Sequence, residues 1–267
     1  MLGAIVGDIV GSRFEFDNIK CKDFVLFQRE CFATDDSIMT LAVGKAIMEC
    51  NGNYSTFGKM AIRCMQEVGR PYLNCGYGGN FYRWMYTDNP KPYRSFGNGS
   101  AMRVSCCGWV AKSLDEARNL SRKVTEVSHN HPEGVKGAEA TTVAIYLARM
   151  GETKENMKQF MDSTYYPMDF TLDGIRDEYE FNETCQRTVP QALMAFFEST
   201  DFEDAIRNAI SIGGDSDTLA AITGSIGEAY YGVPERIKEK ALTYLDQRLR
   251  TIYDQWSSFI AADRKGR

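Results

Sequence analysis

The chain has 267 residues, of which 43% are hydrophobic and 25% are charged. This composition is typical of a globular protein and excludes a disordered acidic chain or a collagen-like one. The formal net charge of −5, without a run of lysine or arginine, disfavours nucleic acid or an anionic membrane as the main partner.

The N-terminal segment MLGAIVGDIVGSRFEF lacks a basic region, and Asp8 interrupts its apolar run, which is not the pattern of a signal peptide. No stretch reaches the roughly 18 apolar residues that span a bilayer. The eight cysteines form no C-x-x-C pair, which argues against a disulfide framework or a zinc ribbon. We therefore expect a cytoplasmic protein with reduced thiols and no membrane partner, and a monomer is the default expectation.

Helical periodicity dominates the chain, and period-2 alternation is nearly absent apart from a weak strand candidate at 23–27. Residues 113–128 open with a capping box formed by Ser113 and Glu116, and Gly151 is a predicted helix stop. The predicted helices are one that follows Thr34 and those at 113–128, 134–150, 190–198, 201–211, 217–231 and 234–262. This pattern predicts an all-α fold of roughly ten or more helices in one domain, residues 1–267.

Glycine, proline and asparagine are concentrated at 70–99, where aromatic residues are threaded between them. This composition predicts an ordered loop of the kind that often carries a site. Pro190 and Pro234 lie where the first turn of a helix tolerates proline.

Two oxygen-rich segments precede apolar helical runs. The first is A-T-D-D-S at 33–37, and the second is G-G-D-S-D-T at 213–218. Aspartate, serine and threonine are also favoured helix caps, so capping explains either segment taken alone. Together they offer four carboxylates and two hydroxyls, the ligands that Mg²⁺ or Mn²⁺ prefers. The presence of only two histidines excludes a three-histidine zinc site and agrees with an oxygen-based metal centre.

Five short motifs follow one another along the chain. They are G-D-x-x-G-S-x-x-E at Gly7–Glu15, T-D-D-S at Thr34–Ser37, G-N-G-S-A-M-R at Gly97–Arg103, S-H-N-H-P at Ser128–Pro132 and G-G-D-S-D-T at Gly213–Thr218. In this order, and in a largely helical chain, they resemble the ADP-ribosylglycohydrolase family, which includes the dinitrogenase reductase-activating glycohydrolases. The motifs extend over about four fifths of the chain.

The resemblance implies an all-α fold around a central cleft that holds two Mg²⁺ or Mn²⁺ ions. The metal ligands that it implies are Thr34, Asp35, Asp36, Asp215, Asp217 and Thr218. The catalytic residues that it implies are Glu15, Asp35 and Asp217. The substrate-binding residues that it implies are Gly97, Asn98, Gly99, Ser100, Met102 and His129.

Each of these assignments has a simpler alternative. Glu15 is also explained as a surface acid at a helix end, and the Gly97–Gly99 segment as an ordinary turn. His129 is equally explained by packing or by fixing a loop. His131 precedes a proline, which favours extended backbone, so we expect a structural role for it.

The function that follows from the resemblance is a metal-dependent hydrolase that cleaves the glycosidic bond between ADP-ribose and a modified target. The motifs leave open whether ADP-ribose is linked to arginine, to serine, to a nucleic acid or to a small molecule. Nucleic acid would then be a partner only as a modified substrate. The alternatives are a non-catalytic family member that binds ADP-ribose or is structural, and a magnesium-dependent phosphohydrolase.

Overall fold

The computed structural model describes residues 1–265. Within that range the regular structure is helical, with two short 3₁₀ turns (Ser12–Phe14 and Tyr54–Thr56) and one isolated bridge between Gly97 and Thr184. The α-helices are α1 (Leu2–Gly11), α2 (Asp35–Cys50), α3 (Phe57–Gly69), α4 (Gly79–Tyr86), α5 (Gly99–Met102), α6 (Ser105–Val110), α7 (Leu114–Thr125), α8 (Pro132–Arg149), α9 (Lys154–Thr164), α10 (Leu172–Ile175), α11 (Cys185–Phe197), α12 (Phe202–Ser211), α13 (Ser216–Tyr231), α14 (Glu235–Leu242) and α15 (Gln247–Lys265). The prediction of an all-α fold is confirmed. None of these helices is both long and apolar enough to cross a bilayer.

Helix α13 lies at the centre of the molecule, against α1, α8, α11 and α12. Every residue of α1 is buried, which explains the nearly continuous apolar composition of this helix. Gly3, Gly7 and Gly11 recur every fourth residue of α1 and therefore share one face. A Cβ atom added to Gly7 would lie 2.0 Å from the Ala220 carbonyl oxygen, so the two antiparallel backbones touch because glycine lacks a side chain.

The same contact continues to the end of α1. A Cβ atom on Gly11 would lie 2.5 Å from the Cα atom of Asp217, near the beginning of α13. The beginning of α2 meets these two ends, because the Thr218 hydroxyl donates a hydrogen bond of 3.3 Å to the Asp36 carboxylate. Three helix termini with acidic residues are thus brought to one place.

Several sequence predictions agree with the structure. The Ser113 side chain accepts a hydrogen bond from the Glu116 amide and caps α7. His131 is the N-cap of α8 in extended backbone, and its Nδ1 atom accepts from the Glu133 amide, so its predicted structural role is confirmed. Gly151 follows α8 with φ of 83°, as a helix stop requires.

The predictions for two apolar or glycine-rich segments are wrong in part. Residues 23–27 form no strand, because no neighbouring strand within the described range offers them a ladder. The 70–99 segment is not loop throughout: α4 forms within it and buries Phe81, Trp84 and Met85 on one face. The aromatic residues threaded between the glycines are therefore partly the apolar stripe of a short helix.

The boundaries predicted for 190–198 and 234–262 also need correction. Pro190 lies inside α11, which begins five residues earlier at Cys185, so it is not a first-turn proline. Residues 234–262 form two helices, because the Asp246 side chain accepts a hydrogen bond of 2.9 Å from the Leu249 amide and so caps α15. Pro234, in contrast, is the N-cap residue of α14, close to its predicted place.

Candidate active site

A cavity of about 270 Å³ opens where the ends of α1, α2 and α13 meet. The predicted site residues that line it are Glu15, Asp35, Asp36, Gly97, Asn98, Gly99, Met102, His129, Asp215, Asp217 and Thr218. The two acidic segments, 180 positions apart in sequence, thus converge on one cavity. Thr34 and Ser100 do not reach its surface.

At the beginning of α2, the side chain that caps the helix also contacts a buried carboxylate. The Thr34 hydroxyl oxygen accepts a hydrogen bond from the Asp36 amide and itself donates one of 2.5 Å to Asp8 Oδ1. The Ser37 hydroxyl and the amides of Thr34 and Ser37 all donate to Asp8 Oδ2. Asp8 is fully buried and was not predicted as a site residue, although it interrupts an apolar run in the sequence.

The carboxylates form two overlapping groups of three. In each group one carboxylate oxygen per residue lies within 4.8 Å of the others: Asp8, Asp36 and Asp217 form one group, and Glu15, Asp215 and Asp217 form the other. Asp36 Oδ1 is buried and has no hydrogen-bonding partner. A buried carboxylate oxygen without a hydrogen-bonding partner, close to the Asp217 carboxylate, is the kind of ligand that a hard divalent cation binds. The chemistry of these residues therefore fits metal binding.

Burial among like charges is the main electrostatic property of the cluster. Burial, followed by the charge of the neighbouring carboxylates, raises the pKa of Asp35, Asp36 and Asp217 well above its ordinary value. The same causes raise the pKa of Glu15 to about 7, and burial raises that of Asp8 to about 6 against its hydrogen bonds. Without a cation, these carboxyls therefore hold protons that exposed carboxyls would have released.

Glu15 is held in place by a contact across the chain. The Asn18 side chain donates to the carbonyl oxygens of Glu15 (3.0 Å) and Gly214 (2.9 Å), and its Oδ1 atom accepts from the Gly214 amide (2.7 Å). Gly213 and Gly214 adopt φ of 68° and 78°, the left-handed conformation expected of the double glycine. This turn places Asp215 and Glu15 in the same group of three carboxylates, whose third member is Asp217.

The Gly97–Gly99 segment contributes to the site differently from a simple phosphate loop. The Asn98 side chain points to the acidic cluster, donating to Asp215 Oδ2 (2.6 Å) and Thr188 Oγ1 (3.1 Å). Ser100 is fully buried, and its hydroxyl contacts the carbonyl oxygens of Gly97 and Gly134. Asn98 therefore orients a carboxylate, whereas Ser100 fixes the loop from behind.

The chain matches the ADP-ribosylglycohydrolase family over residues 1–264. It belongs to this family. Family membership assigns the chain to the glycohydrolases that cleave ADP-ribose linkages.

Two curated relatives are similar over nearly the whole chain. The ADP-ribosylarginine hydrolase Tri1 of Pseudomonas putida is 26% identical, with 96% of this chain and 77% of that protein covered. The human ADP-ribosylhydrolase ARH3 is 24% identical, with 96% and 93% covered. A solved structure described as an ADP-ribosylglycohydrolase-related protein complex superposes with a TM-score of 0.67 at 22% identity and covers 94% of each chain, which supports the fold.

The cavity of this ADP-ribosylglycohydrolase is also lined by residues outside the predicted site. They include Phe81, Tyr93, Arg103 and Glu183. Arg103 ends the G-N-G-S-A-M-R motif, and this position was the available signal for it. Phe81 and Tyr93 lie in the aromatic-rich 70–99 segment, whose composition predicted a loop that carries a site, but only the fold places these two rings and Glu183 in the cavity.

Proposed function

We propose that this ADP-ribosylglycohydrolase hydrolyses the glycosidic bond between ADP-ribose and a modified side chain, and that it requires divalent cations. The observation that carries the proposal is the convergence of Asp35, Asp36, Asp215 and Asp217 on one cavity beside Glu15. A catalytic family member is favoured over a non-catalytic one because the full set of predicted acids lines this cavity.

The residues proposed to hold the cations are Thr34, Asp35, Asp36, Asp215, Asp217 and Thr218. Two Mg²⁺ or Mn²⁺ ions, when bound, supply positive charge that holds the vicinal ribose hydroxyls and polarises water. Thr34 would have to contribute through the oxygen that now contacts Asp8 and the Asp36 amide.

Glu15 is the residue proposed to move a proton or to stabilise charge during cleavage. Glycosidic hydrolysis passes through a transition state with oxocarbenium character, which a nearby carboxylate stabilises. Glu15 lines the cavity, is partly exposed to it, and shares a group of three carboxylates with Asp215 and Asp217. Asn18 holds the backbone of this segment, so that the carboxylate remains at the cavity.

The surface beside Glu15 favours a cationic leaving group, and we propose the arginine linkage. Phe16 is 85% exposed, and its ring stacks on that of Phe181 with centroids 5.9 Å apart. Phe16 follows the cavity residue Glu15 in sequence, and Phe181 lies two positions before the cavity residue Glu183. Exposed aromatic faces next to carboxylates are suited to a guanidinium group, which stacks and pairs with charge at the same time. The relative named as an ADP-ribosylarginine hydrolase supports the same choice.

The decisive experiment is a panel of ADP-ribosylated substrates tested with Mg²⁺ or Mn²⁺ and scored by the product released. We expect free ADP-ribose, with arginine-linked substrate cleaved faster than serine-linked substrate. Release of inorganic phosphate would instead support a phosphohydrolase. Tight ADP-ribose binding without turnover of any substrate would support a non-catalytic protein.

Glu15→Gln tests the proposed role of the carboxylate directly. We expect kcat to fall by about 10²- to 10⁴-fold, the usual contribution of a positioned acid or base, with ADP-ribose affinity nearly unchanged. Exposed Asp17, two positions away, provides the matched control Asp17→Asn, which should keep nearly full activity. Equal activity of Glu15→Gln and Asp17→Asn would remove Glu15 from the mechanism.

A further inference from the structure

Arg103 is a fully buried cation on the wall of the cavity. None of the described carboxylates forms an ion pair with it; its Nη2 atom donates to Ser128 Oγ (2.7 Å) and, at 3.4 Å, to the Val124 carbonyl oxygen. Its Nε atom is buried without a partner. A guanidinium without a counter-ion is costly to bury, so its position next to an open cavity indicates an anionic ligand there.

Ser128 connects this guanidinium to His129. Ser128 Oγ lies 2.8 Å from His129 Nδ1. Because a guanidinium has only donors, Ser128 Oγ must accept from Arg103. Its own proton is then free, and His129 Nδ1 is the one further hydrogen-bonding partner of this hydroxyl among the described residues.

The proton on Ser128 decides the tautomer of His129. If Nδ1 carried a proton, the buried Ser128 hydroxyl would have no acceptor, which is an unfavourable arrangement. If Ser128 donates to Nδ1, the imidazole proton lies on Nε2. Burial and the charge of Arg103 lower the pKa of His129 well below its ordinary value, which keeps the ring in a single-proton form.

His129 Nε2 faces the glycine loop of the cavity. It lies 3.7 Å from the position that a Cβ atom would take on Gly97, and equally far from that position on Gly99. None of the described residues accepts a hydrogen bond from Nε2. Since both neighbouring loop residues are glycines, no side chain stands between the Nε2–H group and a ligand.

We propose that Arg103 and Ser128 are positioning residues that hold His129 as its Nε2–H tautomer, so that Nε2 donates to an anionic group bound at Gly97–Gly99. The assignment of that group as the pyrophosphate of ADP-ribose rests on the proposed function. The cavity then carries two kinds of group: the carboxylates at the beginnings of α2 and α13, and a buried cation with an N–H donor beside Gly97–Gly99.

The test is ¹⁵N NMR of the full chain labelled at histidine, which contains only two histidines. We expect an unprotonated Nδ1 and a protonated Nε2 for His129 in the wild-type protein at neutral pH. His131→Asn, which replaces the capping Nδ1 atom by a side-chain oxygen that can also accept from the Glu133 amide, assigns the two sets of signals. Protonation of Nδ1 in wild-type His129 overturns the proposal. This measurement needs no substitution of Arg103, Ser128 or His129.

Ser128→Ala then tests whether the hydrogen bond from Ser128 to His129 Nδ1 sets the tautomer. We expect a mixture of His129 tautomers, unchanged His131 signals, and about two- to tenfold weaker ADP-ribose binding, the effect of one weakened hydrogen bond. An unchanged tautomer together with unchanged affinity in this variant overturns the positioning role. If the wild-type protein shows the Nε2–H tautomer but binds no ADP-ribose, the proposed function fails while the tautomer assignment stands.

Discussion

Asp8 shows how one buried carboxylate can organise a site without facing its ligand. Two hydroxyls and two amides from Thr34 and Ser37 donate to its two oxygens, and it lines no part of the cavity. A carboxylate occupied by four donors has little capacity left for a cation. We therefore infer that Asp8 positions the beginning of α2, and with it Thr34, Asp35 and Asp36.

Asp8→Asn is expected to lower the free energy of unfolding by about 2 kcal/mol or more at neutral pH, because an amide nitrogen would face donors. It should also weaken Mn²⁺ binding measured by calorimetry, since the beginning of α2 is loosened. Thermal unfolding checks the first effect and calorimetry the second.

Ser37→Ala provides the graded comparison, because it removes one of the four donors. We expect it to weaken Mn²⁺ binding less than Asp8→Asn does. If Asp8 were itself a metal ligand, removing one of the three donors to its Oδ2 atom in this variant would leave Mn²⁺ affinity unchanged or increase it.

Residues of the site were predictable from the sequence where they lie in a short motif. Asp35, Asp36, Asp215 and Asp217 lie in short acidic motifs that also begin helices, and the structure brings them to the cavity. Asp8 stands within the first motif but resembles an interruption of an apolar helix. Its four hydrogen bonds come from residues 26 to 29 positions away, a relation that no local pattern contains.

The site depends on the packing of α1 against α13. Glycines along α1 allow the backbone of α1 to touch that of α13, and the contact ends at Asp217. A wider separation of the two helices would move Asp8 away from Asp217. The carboxylate geometry is therefore set by the distance between two backbones.

Gly7→Ala is expected to destabilise the protein severely, because the added methyl group would lie 2.0 Å from the Ala220 carbonyl oxygen and 2.6 Å from the Ala221 amide nitrogen. We expect a loss of about 3 kcal/mol or more in the free energy of unfolding, or a failure to fold. Chemical denaturation measures this loss.

Gly227→Ala in α13 is the matched control. Its added Cβ would be no closer than 3.4 Å to its neighbours, in ordinary contact with the Phe202 ring, and alanine favours a helix interior over glycine by about 1 kcal/mol. We expect this variant to be as stable as the wild type or more stable. Comparable losses in Gly7→Ala and Gly227→Ala would mean that close backbone contact is not the cause.

Helix boundaries were predictable where a side chain caps the helix, as at Ser113. They were missed where the signal is ambiguous. Asp246 is one of many acids in a periodic segment, and only the structure shows that it caps α15. Pro190 indicated the beginning of a helix, because a proline inside a helix is unfavourable. The structure instead places it inside α11.

For the whole molecule, the acidic cluster makes stability depend on metal and on pH. In the metal-free protein the pKa is about 6 for Asp8 and about 7 for Glu15, above the ordinary values of 3.8 and 4.5. The folded state therefore binds more protons than the unfolded state between about pH 4 and pH 7, and the contribution of these groups to stability falls as pH rises through that window.

Thermal unfolding in the presence of a chelator should show this loss between about pH 4 and pH 7, and Mg²⁺ should restore stability most strongly at the alkaline end. Asp217→Asn removes one buried charge. We expect it to be more stable than the metal-free wild type at pH 8 and to respond weakly to Mg²⁺. A Mg²⁺ response equal to that of the wild type would exclude Asp217 as a ligand.

At this scale, the all-α class follows from periodicity alone, but the packing order does not. That α13 is central and that α1 is wholly buried depend on contacts between distant segments. The resemblance to a family predicted the shared cleft, whereas spacing in sequence could not bring residues 35 and 215 together.

The contact between α1 and α13 also has a consequence for synthesis. The two helices are separated by roughly 200 residues of chain, which at about 5 to 20 residues per second leaves α1 without its partner for about 10 to 40 seconds. During that time an apolar N-terminal helix has its glycine face uncovered. A helix made before α13 is thus among the last to be completed, and a nascent chain arrested before α13 should be a preferred client of chaperones that shield apolar segments.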